Sequence, residues 1–163
     1  MIILGIDPGY AIVGFGVIAY DGFEPAPIEY GAITTPAGVK TEQRLCEIYD
    51  GICELCDKFH PDAMSIEELF FNSNAKTAVN VCQARGVILL AASRRGIPIF
   101  EYTPLQIKQS VTGYGRAEKH QMIAMVTTLL KLKAPPKPDD TADALAAAIC
   151  HGYSSSSALF KLK

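Results

Sequence analysis

The sequence predicts an α/β fold in which helices flank a mixed five-stranded sheet. Two observations carry that prediction. Three apolar runs joined by Gly- and Pro-containing turns open the chain as an antiparallel meander, and two further strands then alternate with segments whose apolar residues recur at helical spacing. The 163 residues, 49% hydrophobic and 20% charged, supply one core of ordinary size and make a second full domain unexpected. A single domain is expected over residues 1–153, followed by a flexible tail over 154–163.

The elements follow in order. IILGI is read as a strand buried on both faces and stopped by Asp7-Pro8-Gly9. Val13 to Tyr20 and Ile28 to Thr35 complete the meander, separated by the Asp21-Gly22 turn and two prolines. From Thr41 to Phe59 the residues Leu45, Ile48, Tyr49, Ile52, Leu55, Cys56 and Phe59 recur at spacings of three and four, which predicts an amphipathic helix ended by His60-Pro61. AMSIEE is the fourth strand. Asn72, Ser73 and Asn74 offer caps for a helix running to about Arg95, with Gly96 as its stop. IPIFEY is the fifth strand. The remainder reads as helical: a short piece from Pro104, a longer one around Ala117 to Leu132, a Pro-rich break at Ala134 to Pro138, and a last helix from Asp140 to about Gly152.

No run approaches the roughly 20 apolar residues of a membrane span, and MIILGID carries no basic region or cleavage site, so a cytoplasmic protein without a membrane partner is expected. The five cysteines are then reduced thiols. Net charge is −2, which at first argues against nucleic acid. Charge by region reverses that inference: residues 1–68 hold twelve acids and three bases, whereas residues 69–163 hold five acids and twelve bases. A basic stretch of this kind suits a polyanion.

Three acidic features stand where chemistry could sit. Asp7 ends the first strand, at the sheet edge where α/β proteins build sites, though it also suits a simple turn cap. Glu67 or Glu68 ends the fourth strand, and strands joined by a right-handed crossover often lie as parallel neighbours roughly 4.8 Å apart. Asp139, Asp140 and Asp143 open the Ala-rich last helix. Capping explains part of that cluster, yet Asp140 and Asp143 share a helical face at the positive end of the dipole. Carboxylates gathered at the end of a buried helix repel one another unless cations lie among them. Oxygen ligands without nearby His or Cys suit Mg²⁺ or Mn²⁺ rather than zinc.

GIDPG, GFGVI, SIEELFF, QARGV, FEYTPLQIKQSVTGYGRAEKHQ, TLLKL and DTADALAAAI occur in order along residues 2–149, and together they resemble the RuvC family of bacterial Holliday-junction resolvases. The resemblance implies a ribonuclease-H-like fold and a homodimer. It also implies a Mg²⁺-dependent endonuclease that cuts four-way DNA junctions by symmetric paired nicks in strands of like polarity. Its products are ligatable 5′-phosphate and 3′-hydroxyl ends, and two Mg²⁺ per subunit are expected, with Mn²⁺ as a substitute. The family's catalytic and metal-binding carboxylates fall on Asp7, Glu67, Asp140 and Asp143. The family glutamate follows an apolar residue and precedes Glu or Gln, which selects Glu67 over Glu68. RuvA and RuvB are the partners expected from the family.

For DNA contacts the resemblance points to Phe70, as an aromatic that stacks on an unpaired base, and to Lys108 and Lys119 near the scissile backbone. Lys76 and Arg116 are supporting candidates. The chain departs from the family at Tyr10-Ala11-Ile12, where a small hydroxyl residue is usual, which puts a side-chain phosphate contact from that loop in doubt. Cys53-x-x-Cys56 lacks a second pair and reads as core thiols rather than a zinc site. Two rival classes are an actin-like or sugar-kinase-type ATPase and a noncatalytic nucleic-acid-binding relative. The first needs a longer chain with a second phosphate loop, and the second would have lost an acid.

Overall fold

The computed structural model describes residues 1–69 and 75–156, and of residues 75–77 the backbone only. Strands β1 (Ile2–Asp7), β2 (Ile12–Tyr20) and β3 (Pro25–Thr34) form the meander. They lead to α1 (Thr41–Phe59), β4 (Ala63–Glu67), α2 (Ala75–Arg94) and β5 (Ile99–Tyr102). Helices α3 (Pro104–Thr112), α4 (Lys119–Leu129) and α5 (Asp139–Ser156) complete the described chain. The sheet order is β3-β2-β1-β4-β5, antiparallel in the meander and parallel across β1-β4 and β4-β5, the expected mixed architecture.

Strand alternation divides the core into two layers. Leu4 and Ile6 of β1 pack with Val13, Val17, Ile48, Ile52 and Ile88 under α1 and α2, while Ile3 faces Ile18, Leu145 and Ile149 on the side of α3, α4 and α5. The central strand is thus covered on both faces, as its apolar run predicts. Ala142 and the residues from Ala144 to Gly152 of α5 are all buried, and small side chains let this helix lie directly on the sheet. At Gly5 an added Cβ would stand 2.0 Å from the Ala144 carbonyl oxygen, so only glycine admits the helix there. The buried Ser65 hydroxyl donates to the Ala147 carbonyl at 2.6 Å, tying β4 to α5. Among the described residues no helix is long and apolar enough to cross a membrane.

Several boundaries differ from the sequence reading. β3 begins at Pro25 rather than Ile28, and both prolines lie within it; it is an edge strand, where a missing N–H donor is tolerated. α4 is shorter than expected, because Glu118 and Gln121 close its start with a capping box and Lys131 turns left-handed just past its end. α5 starts at Asp139 and runs to Ser156, so Ser154, Ser155 and Ser156 belong to the helix instead of the expected tail. The Ser155 hydroxyl donates to the Gly152 carbonyl, and the Ser156 hydroxyl to that of Gly22. The expected caps Asn72, Ser73 and Asn74 lie outside the described residues.

Candidate active site

Parallel pairing of β1 with β4 sets Ile6 beside Ile66, so the next residue of each strand, Asp7 and Glu67, emerges side by side at one sheet edge. On the other flank of β1, Asp7 pairs with Gly14 of β2. A Cβ at Gly14 would stand 2.1 Å from the Asp140 carbonyl oxygen. The first turn of α5 therefore rests on bare backbone opposite Asp7, which brings Asp140 and Asp143 to the ends of β1 and β4. The helix also directs the positive end of its dipole toward this edge.

Electrostatics join the four carboxylates. Burial, reinforced by the charges of Asp143, Glu67 and Asp140, pushes Asp7 from 3.8 up to about 7, with Lys119 opposing the rise. Glu67 is also raised, first by burial and then by Asp143, against the pull of Lys108 and Lys119. Burial works against the charge of Lys119, yet an ion pair with Asp143 and the fields of Asp7 and Asp139 hold its pKa above the usual value. Glu67, Lys108, Lys119 and Asp143 line a cleft whose remaining walls are Pro104, Ile107 and Met122.

The donor set is four carboxylates with no sulfur or imidazole, and the charges of the other three raise the proton affinity of Asp7. That chemistry fits hard divalent cations. As the side chains stand, no three acidic, histidine or cysteine groups among the described residues converge closely enough to hold a metal ion, and the Asp143 carboxylate lies on Lys119. A metal ion held by Asp143 would have to break that ion pair.

Glu68 points elsewhere, as expected from alternation: it lines a separate cavity with Cys82, Arg85, Leu89 and Glu101, where Arg85 pairs with Glu101. Asp139 is exposed, and Arg116 is exposed on the loop between α3 and α4. Phe70 lies outside the described residues, as does the side chain of Lys76. Tyr10 has a structural role: its ring packs 3.8 Å from the Arg44 guanidinium carbon, and its hydroxyl donates to Thr41. Cys53 and Cys56 are buried free thiols, with Cys53 accepting from Arg95. Sequence reasoning missed Gly14 and the Lys119–Asp143 pair. For Gly14 a signal existed in the facing small residues of GFG and ALAAAI.

Comparison with known proteins gives a consistent result. The family model described as Crossover junction endodeoxyribonuclease RuvC matches residues 3–151. The protein of that name from Ruminiclostridium cellulolyticum is 60% identical over 94% of this chain and 93% of its own. Its counterpart from Alkaliphilus metalliredigens is 56% identical over the full length of both. Among solved structures, Thermus thermophilus RuvC in complex with Holliday junction substrate superposes with a TM-score of 0.91 at 34% identity, covering 96% of this chain and 95% of that one.

Proposed function

Because the chain belongs to the RuvC family of crossover junction endodeoxyribonucleases, we propose that it resolves Holliday junctions with Asp7, Glu67, Asp140 and Asp143 as its catalytic carboxylates. The observation that carries this reading is the parallel register that sets Asp7 beside Glu67, with the first turn of α5 seated on Gly14 opposite Asp7. Divalent metal ions, two Mg²⁺ in this reading with Mn²⁺ as a substitute, would be held by those four residues and supply a nucleophilic water and charge stabilisation for phosphodiester hydrolysis.

The protein's own part is to position and to exclude. Asp7 and Glu67 project from hydrogen-bonded strands, which hold a reacting phosphate in one orientation better than loops do. Lys108 on α3 and Lys119 on α4 flank the cleft and hold the backbone of the cut strand. Ile107 and Met122 give it an apolar wall that limits water. Phe70 stacks on an unpaired base at the crossover, and Lys76 and Arg116 hold phosphates further out.

Cutting two strands symmetrically requires two sites, and α2 suits a homodimer interface. Val79, Cys82, Gly86 and Leu90 follow one another at helical spacing, all exposed and uncharged. RuvA and RuvB remain the expected partners in branch migration.

A labelled four-way junction tests the reading. With Mg²⁺ the protein is expected to give paired cuts whose ends a ligase reseals, and with EDTA none. Asp7→Asn is expected to bind junctions with near-normal affinity and cut at least about a thousandfold more slowly, since the uncatalysed reaction is among the slowest known. Near-normal cutting by that variant would remove the four-carboxylate assignment.

A further inference from the structure

We propose that Lys119 is the resident counter-ion of the carboxylate cluster and that junction DNA draws it away, so that DNA binding and metal loading reinforce each other. This rests on the four-carboxylate reading and adds to it an order of events. Lys119 opens α4, where the capping box and the buried Ala117 before it fix the backbone. Only its side chain is left to move. That side chain is 50% exposed and its ammonium meets Oδ2 of Asp143, whose side chain is 26% exposed. Lys108 lines the same cleft but takes part in no ion pair among the described residues. The two lysines therefore stand in different states before DNA arrives.

A tethered monovalent cation thus holds one of the carboxylates that a divalent cation needs. Each excludes the other, by competing for the same oxygens and by like-charge repulsion. A phosphate of the bound strand gives the ammonium a second charged partner. Once the ammonium moves there, Asp143 is released to the metal. Linkage makes the effect reciprocal: whatever factor DNA contributes to metal affinity, metal contributes to DNA affinity. Without DNA, Lys119 relieves repulsion among the carboxylates and keeps the site short of metal, which guards against hydrolysis of chance substrates. Lys119 is in this respect a positioning residue acting through Asp143.

The test is Mn²⁺ binding, followed by calorimetry on the whole protein, with and without a four-way junction carrying phosphorothioate linkages at the crossover to retain charge and slow cutting. Breaking an exposed pair is worth up to about fivefold in an equilibrium constant, and relief of repulsion adds to it. Without DNA, Lys119→Met is expected to bind Mn²⁺ about five- to tenfold more tightly than the unaltered protein. Lys119→Arg is expected to restore the weaker binding, and Lys108→Met, which removes a charge that acts on Glu67 without an ion pair, to tighten it less than Lys119→Met does. Adding the junction is expected to tighten Mn²⁺ binding by the unaltered protein several-fold and by Lys119→Met much less. Equal or weaker binding by DNA-free Lys119→Met, or an equal gain from Lys108→Met, overturns the proposal alone. Mn²⁺ binding that Asp7→Asn leaves unchanged removes the four-carboxylate reading, and the proposal with it.

Discussion

His151 is the clearest case of a residue whose chemistry is set by burial. It is 2% exposed, its Nδ1 shares a 2.8 Å hydrogen bond with the Tyr102 hydroxyl, and Phe100 packs 4.2 Å from its ring centre. Burial lowers its pKa, so the folded chain resists a proton that the unfolded chain accepts near 6.5. The unfolded state then binds more protons below that value, and stability rises with pH through this window. The contribution is complete above about pH 6.5 and is lost as pH falls toward the folded-state pKa. Replacing His151 by Asn is expected to lower stability at pH 7.5 by about 1–3 kcal/mol, through the disturbed hydrogen bond and packing. It is also expected to flatten the fall in melting temperature between about pH 7 and 5; a fall as steep as in the unaltered protein would show that His151 does not govern it. At this scale Glu67 and Glu68 show what one sequence conveys. Alternation separated them onto opposite faces, but only the family pattern chose between them. The Lys119–Asp143 pair was not legible, because it joins residues of α4 and α5 whose meeting depends on how both helices pack.

Elements explain why the site has its geometry. β1, β4 and α5 meet because Gly5, Gly14 and Gly16 let α5 approach the sheet backbone at those points, and the expected parallel pairing of β1 with β4 then aligns the strand ends. Gly14 is the sensitive point. A methyl group added there would stand 2.1 Å from the Asp140 carbonyl oxygen, so the first turn of α5 has to lift away from Asp7. Gly14→Ala is expected to lower stability by roughly 1–3 kcal/mol and to cut cleavage about a hundredfold, since misplacements near 1 Å cost that much. Junction affinity should hold, because Lys108 and Lys119 sit on α3 and α4. Full activity in a folded Gly14→Ala protein would show that α5 can approach β2 in another way. The strands and amphipathic α1 were legible from periodicity, whereas β3 was entered late because prolines read as separators in a sequence that does not reveal which strand is an edge. The end of α5 was missed because serines favour turns unless, as here, their hydroxyls find carbonyls.

At the scale of the molecule, the charge segregation read from the sequence is only partly available to DNA. Arg85 is held by Glu101, Arg95 by Asp57, Lys119 by Asp143 and Lys131 by Glu24, so part of the basic stretch is already neutralised within the chain. In the proposed reading, symmetric cutting would then lean on geometry as well as charge, with two sites held at a fixed separation. The α2 face gives a way to separate folding from pairing. Among the described residues an added Cβ at Gly86 meets nothing within 4 Å, so a larger side chain costs the isolated chain little, and replacing glycine within a helix favours it. In a symmetric dimer joined along Val79, Cys82, Gly86 and Leu90, the same side chain would enter the closest approach of the two helices. Gly86→Leu is expected to keep the helical circular-dichroism spectrum of the unaltered protein while sedimenting as a monomer. On a supercoiled plasmid extruding a four-way junction, the unaltered protein should give mainly linear product from paired cuts. The monomeric variant should shift the product toward relaxed circles from independent single nicks. A Gly86→Leu protein that remains dimeric and still linearises the plasmid would place the partner's contact on another face.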